Sequence, residues 1–264
     1  MSNKVLVLRT CSYDMSSGYN PRFFWPESGY VEAPDWNPGR FCGYGLHGWL
    51  WGEGDGDLGD FSEDAKWLVV EVDAKKVVKL DGKVKFPSGN VVFCGSRKDA
   101  TDYLVERAPG RVVVGAEVTV GEGEVARVGY EGQATAGNHG TAVAGDFGVA
   151  RAGDFGVARA GEEGLAFVGD NGTAMVGDHG KATAGNNGKA VAGSGGIAVV
   201  RDRGTARAGY RGRVAAGTGG KLCLKHWRSG NNRTATVGKR GILPGFLYEL
   251  DCNGSFVRVE GENV

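Results

Sequence analysis

The chain repeats itself every eight residues between Gly121 and Leu224, in the form G-x-x-G-x-A-x-A. The octad GDFGVARA occurs twice in succession, at 145–152 and 153–160. Gly fills the first position in twelve of thirteen octads and the fourth position in twelve of thirteen, so the period is strict. A short, fixed period built on Gly and Ala predicts a solenoid, in which each repeat stacks on its neighbours.

Within each octad, positions five to eight have the alternating pattern of a short strand. Positions six and eight hold small apolar residues and are predicted to face inward, whereas positions five and seven are mixed and are predicted to face outward. The two glycines bracket a tight turn, where a positive φ or a close backbone approach is required. Two octads would form one coil with two sheets back to back, and three would leave a triangular core that Ala fills poorly. With two octads per coil, the thirteen octads predict about six and a half coils.

A stack of this kind exposes unpaired backbone groups at its ends and needs caps. The sixth position grows from Ala to Val214 and then Leu222 where the repeat ends. The tail holds two apolar runs, at 245–250 and 255–260, joined through Asn253-Gly254, a dipeptide typical of hairpin turns. We therefore expect a C-terminal β-hairpin that caps the solenoid.

The first 110 residues differ in composition and hold five of the six tryptophans. Apolar runs predict strands, and Ser96 with the apolar spacing behind it predicts a helix over 96–108. The predicted strands lie at 5–8, 67–72, 76–80 and 91–94. The fold class is thus mainly β, in three segments. These are an N-terminal α+β domain at 1–110, a β-solenoid at 111–224 and a hairpin cap at 225–264.

Composition excludes some function classes and sets the expected compartment. The net charge is zero, which argues against a nucleic-acid binder driven by overall charge. The five cysteines include no C-x-x-C pair, and we expect reduced thiols in a cytoplasmic protein. The N-terminus is predicted to be a first strand rather than a signal peptide, and no apolar run is long enough to span a membrane. No cofactor and no metal are predicted.

The residues from Cys42 to His47 form a C-x-x-G-L-H element ahead of the Gly/Ala repeat and the closing hairpin. In this layout the chain resembles a loosely defined class of phage and bacterial proteins. The resemblance implies a phage or mobile-element setting. The repeat alone is also similar to the β-roll heads of trimeric surface adhesins, although the missing signal peptide and anchor count against that role.

An irregular, aromatic and acidic region follows the first strand, and it is the predicted ligand or partner surface. Aromatic side chains at this density either stack on a base or nucleotide or form the core of a loop-rich domain. The acidic residues nearby would meet a basic partner. The candidate residues are Trp25, Trp36, Tyr44, His47, Trp49, Trp51, Glu53, Asp55 and Asp57.

A catalytic alternative rests on three residues. Arg9 at the end of the first strand, His47 in a G-x-G-L-H-G turn and Glu71 on a later strand follow the order of an ADP-ribosyltransferase, a family that this arrangement resembles. The resemblance implies that Arg9 and His47 would hold a dinucleotide and that Glu71 would orient the nucleophile. The later Ser-Thr-Ser and Glu-x-Glu signatures of that family are absent from residues 1–110.

The outward positions of the solenoid predict one apolar face. Its residues are Val149, Leu165, Phe167, Ile197 and Val199. An exposed apolar patch of this kind indicates a docking site for a second copy or for the N-terminal domain. The threonines, by contrast, are too scattered along the repeat to predict an ice-binding face.

Together these features predict a non-enzymatic interaction protein. The solenoid would be a rigid scaffold and oligomerisation surface, and in a phage setting the protein would bind a host or defence component. A nucleotide or nucleic acid is the alternative ligand, and an ADP-ribosyltransferase-like or nucleotide-binding N-terminal domain is the alternative function.

Overall fold

The computed structural model describes residues 3–17 and 23–263, and it divides the chain into two compact units. The first unit comprises Met1–Glu117 with Val128–Tyr130, and the second comprises Val118–Arg127 with Glu131–Val264. Each unit is described by itself below.

Within residues 3–17 and 23–117, the N-terminal unit holds nine strands, most of them in one antiparallel sheet. They are β1 (Lys4–Cys11), β2 (Ser16–Ser17), β3 (Phe23–Phe24), β4 (Gly29–Glu32), β5 (Leu46–Leu50), β6 (Lys66–Asp73), β7 (Val78–Lys79), β8 (Val84–Phe86) and β9 (Ser88–Gly95). Seven of them form a sheet in the order β4-β9-β6-β1-β5-β8-β7, and β2 and β3 pair separately. Apolar residues at alternate positions of the central strands, including Val7, Leu68 and Val70, are fully buried and form its core.

The helix predicted after Ser96 is present as α1 (Arg97–Arg107). It begins there because the Ser96 hydroxyl accepts a hydrogen bond from the amide of Asp99, at 3.2 Å. The strand predicted at 76–80 is shorter, because Ala74–Lys76 forms a 3-10 turn capped by the side chain of Asp73 and only Val78–Lys79 is extended.

The repeat forms a β-solenoid of about seven turns, as its period predicts. Its strands are β10 (Glu117–Val120), β11 (Val125–Arg127), β12 (Gln133–Ala136), β13 (Thr141–Val143), β14 (Val149–Ala152), β15 (Val157–Ala160), β16 (Leu165–Val168), β17 (Thr173–Val176), β18 (Lys181–Ala184), β19 (Lys189–Val191), β20 (Ile197–Val200), β21 (Thr205–Ala208), β22 (Arg213–Ala216) and β23 (Lys221–Lys225). Even-numbered strands form one parallel sheet, the first sheet, and odd-numbered strands form the second sheet. Ala150 lies beside Ala166 and Ala142 beside Ala158, sixteen residues apart, so two octads make one coil.

The interior is the predicted column of small residues. Every sixth-position residue from Ala126 to Leu222 is completely buried. With Ala at this position the two sheets pack closely, and burial of these side chains stabilises every coil to a similar extent.

In each turn, the residue at position three adopts a positive φ, and the glycines at positions one and four allow close packing. Position three has a positive φ in all thirteen octads, and ten of these residues are not Gly, for example Phe155 at 57°. This conformation lets the amide of Phe155 donate to the carbonyl of Asp170 in the next coil, at 2.8 Å. The first and fourth positions have no positive φ where they are Gly. They are Gly because a Cβ would collide with atoms of the preceding strand and of the neighbouring coil. At Gly156 it would lie 2.7 Å from the Cβ of Ala152, at the end of the preceding strand, and 3.1 Å from the carbonyl oxygen of Gly140 in the neighbouring coil.

Asp and Asn at position two connect successive coils along the edge of the solenoid. The Asp154 side chain accepts a hydrogen bond from the amide of Asp170 at 2.7 Å, and Asp170 accepts one from the amide of Asn186 at 2.7 Å. The series runs from Asn138 to Thr218 in steps of sixteen residues, and we call it the edge ladder. Because these bonds join coils, the residues do more than satisfy turn propensity.

The solenoid ends in antiparallel strands. They are β24 (Asn232–Thr236), β25 (Phe246–Leu250) and β26 (Phe256–Asn263). Strand β24 pairs with β23 at the end of the second sheet, and the β25–β26 hairpin follows β22 in the first sheet. The hairpin cap predicted from the tail is therefore present, and β24 is an additional capping strand that the sequence pattern did not predict.

Candidate functional site

The structure does not assemble the proposed catalytic trio. In the pairing of β1 with β6, Arg9 lies opposite Leu68, whereas Glu71 lies opposite Leu6, three residues away and on the other face of the sheet. The Glu71 carboxylate lies 3.4 Å from the ammonium of Lys4. The hydrogen bond between Arg9 and His47 is to the backbone, because Arg9 Nη1 donates to the carbonyl oxygen of His47 at 3.4 Å.

His47 lies on β5 in strongly cationic surroundings. Burial, followed by the charges of Lys83, Arg9 and Lys85, lowers the pKa of His47 to about 4. Its Nε2 is buried and has no hydrogen-bond partner within the described residues. The ring is therefore neutral at physiological pH.

The predicted aromatic surface is in large part a core. Trp25 and Trp49 are buried, and their indole nitrogens donate to the Ser17 hydroxyl and the Asp55 carbonyl, both at 2.8 Å. Trp36 packs against the core cluster, and Trp51 has a positive φ of 56° in a tight turn. Tyr44 is the exposed member of the set, with its ring in edge contact with Phe41.

The acidic residues of this region have structural contacts. Glu53 accepts hydrogen bonds from Arg111 Nη1 at 2.9 Å and from the amide of Val112 at 3.0 Å. Asp55 caps the short 3-10 turn Gly56–Leu58 and accepts from the amide of Asp57. Their role as a partner surface remains a prediction.

The predicted apolar face lies on the first sheet, and part of it is covered by the chain itself. Val199 is buried in a small cluster with Ala215 and with Leu247 of the cap hairpin, and Ile197 packs against the same cluster. Farther along the sheet, Leu165 keeps 37% of its surface exposed, Phe167 lies under the guanidinium of Arg151, and Val149 is half-buried. A docking role for the uncovered residues remains a prediction.

The second sheet carries a regular feature that sequence reasoning missed. Thr141, Thr173 and Thr205 occupy the fifth position of alternate coils, in one column on its outward surface. Val157 and Lys189 lie between them in the same column. We call this surface the threonine face. The signal in the sequence is a spacing of thirty-two residues, which equals two coils and becomes visible only once the coil is known to hold two octads.

Charge is segregated on the solenoid. The outward positions of β11–β23, all within the described part of the chain, contain no Asp or Glu, and the carboxylates lie in the turns. The cations at these outward positions are Arg127, Arg151, Arg159, Lys181, Lys189, Arg207, Arg213 and Lys221. The outward surfaces of both sheets of the solenoid therefore carry positively charged side chains among neutral ones.

Other kinds of site find no support in residues 3–17 and 23–263. No group of three or more His, Cys, Asp and Glu side chains is placed to hold a metal ion. In the same residues, no helix has the length and the apolar character needed to cross a membrane.

Comparison with known proteins connects the chain to one kind of relative. It is 38% identical over 108 residues to an ice nucleation protein of Xanthomonas campestris pv. translucens, and this match covers 40% of this chain and 7% of the relative. It is 33% identical over 133 residues to an ice nucleation protein of Enterobacter agglomerans, and this match covers 45% of this chain and 10% of the relative. An ice nucleation protein of Pseudomonas fluorescens is 40% identical over 105 residues, or 39% of this chain and 8% of the relative.

The matched spans are about as long as the octad repeat, and the chain covers a tenth or less of the length of these relatives. No family model matches the chain, and no solved structure matches it.

These relatives correct two predictions. The interpretation as a phage-encoded binder of a host or defence component, with its ADP-ribosyltransferase-like alternative, is contradicted because the relatives that the chain matches are ice nucleation proteins. The cytoplasmic localisation is contradicted by the same finding. It rested on the absence of cysteine pairs and of a leader, and such absences are weak evidence for a compartment. The C-x-x-G-L-H element finds no counterpart in the comparisons. What the chain shares with known proteins is similarity to ice nucleation proteins over a length close to that of its solenoid.

Proposed function

We propose that the solenoid acts on water and ice, and that it does so through the threonine face. The observation that carries the proposal is the in-register stacking of coils. It places Thr141, Thr173 and Thr205 in a straight column on a protein whose relatives over such a span are ice nucleation proteins.

The geometry suits an ordered layer of water. Strands in a sheet are ~4.8 Å apart, so hydroxyls on alternate coils recur at ~10 Å along the column. Thr and Val are stiff at χ1, so the methyl and hydroxyl groups of Thr141, Val157, Thr173 and Thr205 are held in place before water binds, and Lys189 is the one mobile side chain among them. Water molecules over such a face would lose less entropy on ordering than water over mobile side chains.

The rigidity of the scaffold supports the same role. The buried Ala column fixes the separation of the two sheets, and the edge ladder fixes the spacing of the coils. An array that templates a crystal must keep its spacing over many repeats, and a closely packed solenoid provides this.

The size of the solenoid limits the expected activity. About seven coils at ~4.8 Å each give a stack of ~30 Å, whereas the matched spans are a tenth or less of the length of the relatives. A template works when it is as large as the critical ice embryo, and that embryo shrinks as supercooling deepens. We therefore expect one copy of this chain to act at deeper supercooling than its longer relatives.

A droplet-freezing assay tests the proposal. The native chain is expected to raise the median freezing temperature of buffer droplets, relative to an equal concentration of an unrelated globular protein. The double variant Thr141→Lys and Thr173→Lys places two long charged side chains on the threonine face and is expected to remove most of this rise.

The matched control is the double variant Thr135→Lys and Leu165→Lys, which adds the same charges to outward positions of the first sheet. It is expected to keep the native freezing temperature. Circular dichroism and thermal melting confirm that both variants fold. No rise with the native chain, or an equal loss in the two folded variants, would contradict the proposal.

A further inference from the structure

The outward surface of the second sheet carries five cations and, over β11–β23, which the structure describes throughout, no carboxylate. Positions five and seven of its octads form two columns, because each residue lies beside its equivalent sixteen residues along the chain. Three arginines stand in the column at position seven and two lysines in the column at position five, and all five side chains are exposed. We call this surface the basic strip, and its cations are Arg127, Arg159, Lys189, Arg207 and Lys221.

The cations of the basic strip are not neutralised by the chain itself. In residues 3–17 and 23–263, no carboxylate forms an ion pair with any of the five. On the first sheet, by contrast, the guanidinium of Arg151 lies 5.6 Å from the centre of the Phe167 ring. The charge of the basic strip is therefore available to an anion from solution.

Carboxylates flank the basic strip on both sides. The turns that lead into the second sheet hold Glu122, Glu124, Asp154, Asp170 and Asp202. The turns that lead out of it hold Glu131, Asp146, Glu162, Glu163 and Asp178. The three arginines of these turns, Arg201, Arg203 and Arg211, lie toward the C-terminal end. Positive charge on this surface is thus confined to two columns ~7 Å apart, over a length of ~29 Å, at ~3.4 Å per residue along a strand and ~4.8 Å per coil.

The width of the basic strip favours a narrow ligand. A lipid surface or a nucleic-acid duplex is much wider than two columns and would bring its phosphates over the flanking carboxylates, where like charges repel. A single-stranded nucleic acid is narrow enough, but proteins bind such strands by stacking the bases on aromatic side chains. The outward residues of the second sheet, over the described strands β11–β23, include no aromatic residue. The surface therefore fits a linear polyanion that has no bases.

We propose that the basic strip binds a linear polysaccharide that carries carboxylates, with the sugar chain along the axis of the solenoid. Arg and Lys pair with carboxylates through charge-assisted hydrogen bonds. Along the axis, successive cations of the strip lie ~5–10 Å apart, so a carboxylate on every sugar ring or every second ring would meet them. Threonine hydroxyls of the threonine face lie in the same column as the two lysines and can hydrogen-bond to sugar hydroxyls. The inference does not depend on the proposed action on ice, because it rests on the cations alone.

The test measures binding of alginate oligosaccharides, which are linear and carry one carboxylate per ring, to the full chain by isothermal titration calorimetry without divalent cations. The native chain is expected to bind saturably, with an affinity that falls as salt is added. The strip variant Arg159→Gln with Lys189→Gln is expected to weaken the affinity by about five- to tenfold, for the loss of two exposed ion pairs. A second strip variant, Arg207→Gln with Lys221→Gln, is expected to lose as much.

The matched control is Arg151→Gln with Lys181→Gln, which removes the same charges from the first sheet and is expected to bind as the native chain does. Circular dichroism confirms that the variants fold. No saturable heat with the native chain, equal losses in the strip and control variants, or equal binding of neutral dextran would overturn the proposal.

Three further outcomes would assign the basic strip to another partner and would also overturn the proposal. Tighter binding of single-stranded oligothymidine than of alginate would indicate a nucleic acid. Tighter binding of phosphatidylserine vesicles would indicate a lipid surface. Self-association of the native chain that both strip variants lose, without binding of alginate, would indicate a second copy.

Discussion

Gly164 marks a place where a single methyl group should disrupt the stack. It is a fourth-position glycine, and a Cβ there would lie 2.6 Å from the Cβ of Ala160 and 3.1 Å from the carbonyl oxygens of Gly148 and Gly161. The Gly148 carbonyl cannot move away freely, because it accepts the inter-coil hydrogen bond from the amide of Leu165 at 2.9 Å.

The cost follows from overpacking. Extra methyl groups in tightly packed sites cost about 1–3 kcal/mol, and the lower entropy of an unfolded chain with Ala returns about 0.4–1 kcal/mol. We therefore expect Gly164→Ala to lower the free energy of unfolding by about 2 kcal/mol, or the melting temperature by about 4–8 °C. Thermal and urea unfolding, followed by circular dichroism, measure the change.

Gly123 provides the control, since it is a third-position glycine with a φ of +72°, and a Cβ added there would meet nothing within 4 Å. Asn adopts this conformation readily and already fills the same position at Asn171 and Asn187. Gly123→Asn should stay within about 0.5 kcal/mol of the native chain. The reasoning is refuted if Gly164→Ala melts with the native chain, or if both variants lose stability equally.

Two pH-dependent predictions follow from the titrating groups. The pKa of His47 falls to about 4 on folding from its ordinary value of 6.5, so the unfolded chain binds more protons than the folded chain between these pH values. The free energy of unfolding should therefore decline as pH falls from 6.5 to 4. His47→Gln should flatten this decline in thermal melts, and an unchanged decline in the variant would contradict the assignment to His47. Hydrogen bonds from the amide and side chain of Asn186 lower the pKa of Asp170, so its stabilising contribution is present above the unfolded pKa of 3.8 and is lost as pH falls below that value. Asp170→Ala should therefore melt at a lower temperature than the native chain at neutral pH. Glu162 also occupies position two of its octad, but within the described residues its side chain makes no hydrogen bond to the next coil, so Glu162→Ala should melt with the native chain. Equal melting temperatures of the two variants would show that the edge ladder does not stabilise the solenoid.

The sequence predicted what depends on local period and local chemistry. The inward Ala column, the sixteen-residue coil and the hairpin around Asn253-Gly254 were all accessible, because each is set by residues close together in the chain. The α1 helix was accessible for the same reason, through its Ser96 cap.

Features that depend on distant residues were not accessible in this way. The covering of Val199 by Leu247 joins positions far apart in sequence, so the apolar face looked fully exposed. The threonine column was hidden because its members are two coils apart, and five threonines read along the chain look irregular. Within the N-terminal unit, Arg9 and Glu71 follow a suggestive order, but the β1–β6 register places them on opposite faces.

The two-octad coil also constrains how such a chain can lengthen. Inserting one octad leaves each local turn and strand intact, but it moves every later outward residue from one sheet to the other. Inserting two octads restores the sheets and still breaks the alternation of Thr141, Thr173 and Thr205 with their neighbours. Only blocks of four octads preserve both, so a gene that grows by duplication can keep the stack at any copy number but can keep this surface pattern only in steps of thirty-two codons.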